Sequence, residues 1–202
     1  LHMLQIDKKK CFIELGKFLS QFSLDNNCKN EAVLHNDLYF DRFVDLIHLS
    51  QSHNGWFTPE QVYFSVQSWA NALTDENLNK WLSAYNFSNV TTKTVGLILA
   101  GNIPLVGFHD FLCVLLSGHR VICKQSSEDA RMLPALVKLL FHFEPELVDC
   151  IRFSDRKLEG YQAVIATGSN NSMLHFEQYF AHVPHVFRGH RTSVAVITGQ
   201  ET

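Results

Sequence analysis

The sequence lacks the features that would place it in several large functional classes. It has no run of five like charges, and its 202 residues carry a formal net charge of −3, so there is no electrostatic footprint for nucleic acid. The short basic stretch at residues 8–10 reads as a solvated helix face. No apolar segment reaches bilayer-spanning length, and the first residues lack the charged-apolar-small order of a secretory signal, so a cytoplasmic location is expected. The five cysteines are odd in number and have no C-x-x-C spacing. They make no disulfide framework and are expected to be reduced, with Cys113 and Cys123 acting as small apolar residues. Neither G-x-G-x-x-G nor G-x-x-x-x-G-K-[ST] occurs, nor does the G-x-S-x-G elbow of a serine hydrolase. His182, His185 and His190 lie close together without a cysteine or carboxylate to complete a zinc set, and no metal site is assigned.

What is present is enough apolar material for one good core, at 46% hydrophobic and 12% aromatic content. Residues 5–49 carry a helical period. Phe12, Leu15, Phe18, Leu19 and Phe22 fall on one face, and Phe40, Phe43, Val44, Ile47 and Leu49 follow after a polar break. Thr58-Pro59-Glu60-Gln61 supplies a cap, an N1 proline and an N3 acceptor for a helix to Ala72. Thr74-Asp75-Glu76-Asn77 repeats the signal ahead of Leu78, Trp81, Leu82 and Tyr85. After Asn86 the pattern changes to short apolar runs separated by helices. Two segments are therefore expected: a helical one over residues 1–89 and an α/β one over residues 90–202.

Residues 95–100 form an apolar run that ends in Gly101 and Asn102, the signature of a buried strand opening into a loop. A helix is expected from about Pro104, carrying Phe108, Phe111, Leu112, Leu115 and Leu116 on one face and ending at Gly118. Residues 121–124 give a second strand, completing a βαβ unit and hence a parallel sheet. Ser126 or Ser127 caps a helix through 133–141, residues 161–167 read as a third strand, a helix follows over 172–180, and residues 193–198 read as a fourth strand. Strand ends in a parallel sheet share one edge, where ligands bind. On that edge stand Asn102; Lys124, Ser126 and Ser127; and Gly168 with Ser169. Each has an ordinary reading as turn former, solvated lysine or helix cap. Together they favour a dinucleotide, with phosphate at the start of the helix after Ser169.

With these residues in place the chain resembles the aldehyde dehydrogenase superfamily, and within it the acyl-CoA reductases of the bacterial bioluminescence fatty-acid reductase type. AGNIP at residues 100–104 resembles the strand-end motif whose asparagine donates to the substrate oxyanion. VICKQSS at 121–127 is similar to the lysine segment that holds the adenosine ribose, and TGSNN at 167–171 to the Gly-Ser helix start facing the pyrophosphate. The resemblance implies a Rossmann-like parallel sheet preceded by a helical segment, with Asn102 as the oxyanion donor. Lys124, Ser126, Ser127, Gly168 and Ser169 would bind the cofactor, and acyl-CoA would be the substrate. It also implies NADPH in preference to NADH, because Ser127 stands where many NAD-preferring relatives carry an acidic residue. Where hydrolytic members carry a glutamate base this chain has Phe187, which suits thioester reduction. The family's nucleophilic cysteine lies beyond the strand equivalent to 193–198, in a second domain, and none of Cys11, Cys28, Cys113, Cys123 or Cys150 stands there. The expectation is therefore the N-terminal, cofactor-binding portion of a reductase, inactive alone and compatible with a homo-oligomer. The rival expectations are a catalytically silent nucleotide-binding or assembly module, and a helical interaction domain joined to an unrelated sheet.

Overall fold

The computed structural model of the protein describes residues 7–190 and 192–199. Four helices come first, each where the sequence supplies a start signal or an apolar stripe. Asp7 accepts from the Lys10 N–H and opens α1 (Lys8–Leu19), whose buried side carries Cys11, Phe12, Leu15, Phe18 and Leu19. The long helix α2 (Asn36–His53) buries Phe40, Phe43 and Ile47, but Leu49 is 52% exposed and does not belong to the apolar face expected of it. Thr58 caps α3 (Pro59–Ala72), with Pro59 in the first turn, and Thr74 caps α4 (Asp75–Leu82), both as the sequence signals require. Tyr85 lies past the end of α4 and is exposed.

The remainder is a parallel sheet of five strands: β1 (Thr94–Ile98), β2 (Arg120–Lys124), β3 (Ile151–Phe153), β4 (Ala163–Thr167) and β5 (His185–Arg188), in spatial order β3-β2-β1-β4-β5. Helix α5 (Phe108–Leu116) connects β1 to β2, α6 (Met132–Phe143) lies between β2 and β3, and α7 (Asn170–Phe180) connects β4 to β5. The fold is thus α/β with an all-parallel, Rossmann-like sheet. Side chains alternate about it with the period of two that a pleated strand imposes. Val95, Leu97, Val121 and Cys123 join one apolar cluster with α1, α3, α5 and α6, whereas Val164, Ala166 and Phe180 form a second with Ile98, Tyr161, Phe176 and Phe187.

Four expectations need correction. The helix after β1 starts at Phe108, not near Pro104, because Leu105 takes a left-handed backbone (φ 58°) and interrupts any earlier helical turn. Ser126 caps only a 3-10 turn over Ser127–Asp129, and α6 begins separately at Met132. β3 was not anticipated: it is three residues long with only Ile151 buried, too short to show a period. Residues 193–198 form no strand, and Val194, Val196 and Ile197 are 92, 80 and 81% exposed. The place beside β4 is taken by residues 185–188, which lie between the expected helix over 172–180 and the expected strand over 193–198. After α7 the chain turns back at once, Val183 N–H donating to Phe180 and Val164 N–H to Pro184, so the first residues to reach the sheet are these.

The core does not divide at residue 90. Phe12 of α1 meets Phe108 and Phe111 of α5 edge-on, with ring centroids 6.1 and 6.3 Å apart, and the larger apolar cluster runs without a break from the helices into the sheet. Helices α1 and α3 approach closely at Gly16, where a Cβ would lie 2.8 Å from both Leu73 Cβ and its carbonyl oxygen. Alanine is worth roughly 1 kcal/mol over glycine within a helix, but overpacking costs roughly 1–3 kcal/mol, and here the neighbour is backbone. Gly16→Ala is therefore expected to lower the urea unfolding midpoint, and a raised midpoint would show that α3 moves away freely.

Candidate functional site

The strand order places a topological switch point between β1 and β4. From β1 the chain proceeds outward through β2 to β3, and from β4 it proceeds the opposite way to β5. Loops leaving the two central strands therefore diverge and open a crevice at the C-terminal edge, the usual ligand position of such sheets. A cavity of about 140 Å³ sits there, lined by Leu99, Ala100, Val106, Gly107, Thr167 and the pair Asp110 and Arg188.

The loop after β1, residues 99–107, is held by groups from three other elements. Asn54, buried just past α2, donates through Nδ2 to the Gly101 carbonyl at 3.2 Å and to that of Glu128 at 3.4 Å. Ser65 of α3 donates to the Pro104 carbonyl at 2.7 Å. Asp129 Oδ2 accepts from the Leu105 N–H at 3.1 Å, fixing the residue with the left-handed backbone. Gly101 has to be glycine because a Cβ would lie 2.7 Å from Ser126, so the loops after β1 and β2 are packed directly together. Asn102 stands exposed on this clamped loop.

The other sequence-derived residues are distributed along the same edge, with different present duties. Lys124 ends β2 and donates through Nζ to the Arg156 carbonyl at 2.9 Å. Ser126 Oγ accepts from the Glu128 N–H. Ser127 instead lines a cavity of about 290 Å³ shared with Ser50, His53, Phe57 and Met132. Gly168 gives its N–H to the Arg188 carbonyl, and a Cβ there would meet Ser172 Cβ at 2.9 Å. Strand pairing and helix packing thus account for this glycine without a ligand. Ser169 caps α7 by accepting from the Ser172 N–H. The first-turn N–H groups of Asn170 and Asn171 have no partner within a helix and lie at its positive end, the arrangement a phosphate requires. The set fits a nucleotide laid along an open edge, with an ammonium, a hydroxyl and helix-start amides as donors.

Sequence reasoning missed the residues that hold this edge. Asp110, buried on α5, is ion-paired to Arg188 at the end of β5. Nothing local marks either residue, since the pair joins positions 78 apart and depends on β5 lying where no strand was expected. Nothing local marks Asn54 or Ser65 either, and the inward bond of Asp129 to Leu105 depends on residues 24 positions apart.

Burial raises the Asp129 carboxyl above the ordinary 3.8, although hydrogen bonds from the Leu105 and Met132 N–H groups oppose the shift. A carboxyl with a folded pKa above its unfolded value holds its proton more tightly when folded. Its contribution to stability therefore falls as pH rises from 3.8 through the raised value. Asp129→Asn keeps an acceptor for Leu105 without the charge. Wild type should lose stability relative to this variant over that window in urea titrations, and a constant difference would remove Asp129 as the cause. Asp129→Ala should cost roughly 1–3 kcal/mol by leaving the Leu105 N–H unpaired.

In comparison with known proteins, neither a family model nor a curated protein matches this sequence, so the functional reading rests on the residues of this edge.

Proposed function

We propose that this chain is the cofactor-binding part of an NAD(P)H-dependent acyl-CoA reductase of the aldehyde dehydrogenase type, which reduces a fatty acyl thioester to an aldehyde. The observation that carries the reading is the convergence of Asn102, Lys124 and the Ser169 helix start on one edge of a parallel sheet, beside its switch point. In order and spacing along the sequence these three positions fit the motifs on which the resemblance rests.

Each residue has a duty that its setting supports. The nicotinamide supplies hydride when the cofactor is bound. The Asn102 amide donates to the oxyanion that forms as the thioester carbonyl becomes tetrahedral, and the clamps on residues 99–107 pre-position it. Lys124 exchanges its bond to the Arg156 carbonyl for a ribose or phosphate oxygen. The amides of Asn170 and Asn171 and the Ser169 hydroxyl receive the pyrophosphate, and Ser126 adds a hydroxyl beside Lys124. Asp129 is turned inward to Leu105, which leaves Ser127 and the exposed Glu128 as the outward groups after the lysine. With Ser127 in place of an acid three positions after Lys124, a 2′-phosphate meets less repulsion at that position, Glu128 standing one residue further on, and NADPH is the preferred cofactor. The cysteine that carries the acyl group during reduction lies outside the five of this chain.

Calorimetric titration of the 202-residue protein with NADPH, NADH and coenzyme A tests this. NADPH should bind more tightly than NADH, and failure of both nucleotides to bind at millimolar concentration would sink the reading. Lys124→Ala should weaken binding by roughly 1–3 kcal/mol through loss of a charge-assisted hydrogen bond. Asn102→Ala should leave cofactor affinity nearly unchanged, because an oxyanion donor acts mainly in the transition state.

A further inference from the structure

Helices α5 and α6 cover the sheet over β1 to β3, and on that side Ala163 and Ile165 of β4 and Val186 of β5 are left as the floor of a separate cavity. Ile165 and Val186 are register partners, so the two strands present a continuous apolar surface. The cavity measures about 460 Å³, within the roughly 300–1,000 Å³ of small-molecule sites. Trp81 and Leu82 of α4, with Tyr85 and Phe87 after it, make the opposite wall, and Leu116 and Cys113 of α5 close the side. Tyr85 and Phe87 stack with centroids 6.0 Å apart, Tyr85 being the more exposed of the two.

Cys113 brings a thiol to the lining of this cavity, and an imidazole stands beside it. The His109 ring nitrogens lie 3.7 Å (Nε2) and 3.8 Å (Nδ1) from Cys113 Sγ, one helical turn away. His109 Nδ1 is 3.6 Å from Asp110 Oδ1, and its ring lies 6.4 Å from that of Trp81 on the cavity wall. The i, i+4 spacing on a straight helix therefore puts a thiol, an imidazole and a carboxylate in sequence beside an apolar space. We propose that Cys113 is a second, separate acylation site, which takes a long-chain acyl group from an acyl thioester and houses the chain in the 460 Å³ cavity.

The step balances without a redox partner. The Sγ–H proton passes to the His109 ring, sulfur attacks the thioester carbonyl carbon, and the bond from that carbon to the donor sulfur breaks. The leaving thiolate takes the proton from His109, so one thioester and one thiol become another thioester and thiol. Burial, with the Asp110 carboxylate second, pushes the Cys113 thiol pKa up, so the thiol rests protonated and depends on the imidazole for attack. The other four cysteines lack this combination. Cys11 and Cys123 are buried with pKa values pushed up to about 11 and about 12, and Cys28 and Cys150 do not line this cavity.

The proposal is independent of the nucleotide reading and is tested without nicotinamide. The 202-residue protein is incubated with palmitoyl-CoA or, in parallel, acetyl-CoA, and followed by intact mass and peptide mapping. The expected result is one palmitoyl group, removed by neutral hydroxylamine and mapped to Cys113, formed at least about tenfold faster than the acetyl adduct, since the apolar cavity buries the long chain and has nothing to gain from the acetyl group. His109→Gln should slow labelling at least about tenfold as a general base is lost. Val186→Trp, at a surface position on the floor, should abolish the preference for the long chain. Labelling spread evenly over the cysteines, equal rates for the two thioesters, or no adduct would each overturn the proposal. So would an unchanged rate in a His109→Gln protein with wild-type circular dichroism.

Discussion

The structure depends most on β1 being buried on both faces and paired along both edges. Val95 and Leu97 point into the cluster built with α1, α5 and α6, while Gly96 and Ile98 face Tyr161, Leu158 and Val164 on the other side. A strand in this position has no solvated face on which a polar side chain could stand, which is why its sequence is a nearly unbroken apolar run. It also has to release the chain at its C-terminal end between two diverging neighbours. Gly101 and the clamped loop after it are consequences of that crowding. The space beside Gly101 is already filled by Ser126, and beyond it the left-handed backbone at Leu105 delays the helix until Phe108.

The same crowding explains which parts of the fold were legible in the sequence. Caps and periods are local, so Thr58 and Thr74 marked two helix starts correctly, the helix expected from residue 172 begins two residues earlier behind Ser169, and the runs at β1, β2 and β4 read as strands. Misreadings arose where distant residues decide. Pro104 carries a good local signal for a first helical turn, yet Ser65 and Asp129, from elsewhere in the chain, hold residues 104 and 105 in another conformation. SVAVIT has a stronger strand pattern than HVFR, but the latter is the stretch that leaves α7 within reach of β4. Propensity describes what a segment tolerates, while the sheet selects what arrives in register. The candidate site divides likewise. Asn102, Lys124 and Ser169 could be named from motifs at strand ends, whereas Asp110 and Arg188 acquire meaning only once β5 is placed.

Helix α5 serves two environments because it runs along the sheet from the switch point to the opposite end. Its first turn carries Asp110 at the crevice, and its later turns carry Cys113 and Leu116 along the apolar cavity. One wall of the cavity is thus supplied by the helix that also frames the ligand edge, with His109 between the two regions. Movement of α5 against β4 and β5 would alter both at once.

The Asp110–Arg188 pair opposes that movement. β5 is a four-residue edge strand with Val186 half exposed, held to the rest of the sheet by β4 alone, and such a strand has little apolar burial to keep it in place. The ion pair adds a tie from its last residue across to α5. Asp110 has almost no access to water, while Arg188 remains about one-third exposed. The carboxylate has therefore lost its hydration, and the guanidinium is its replacement. Forming such a pair from two hydrated ions gains little, but separating it within the fold strands a charge in apolar surroundings. The tie is consequently weak as a source of stability and strong as a determinant of position: it sets where β5 ends relative to α5. In doing so it holds one wall of the crevice, which both residues line.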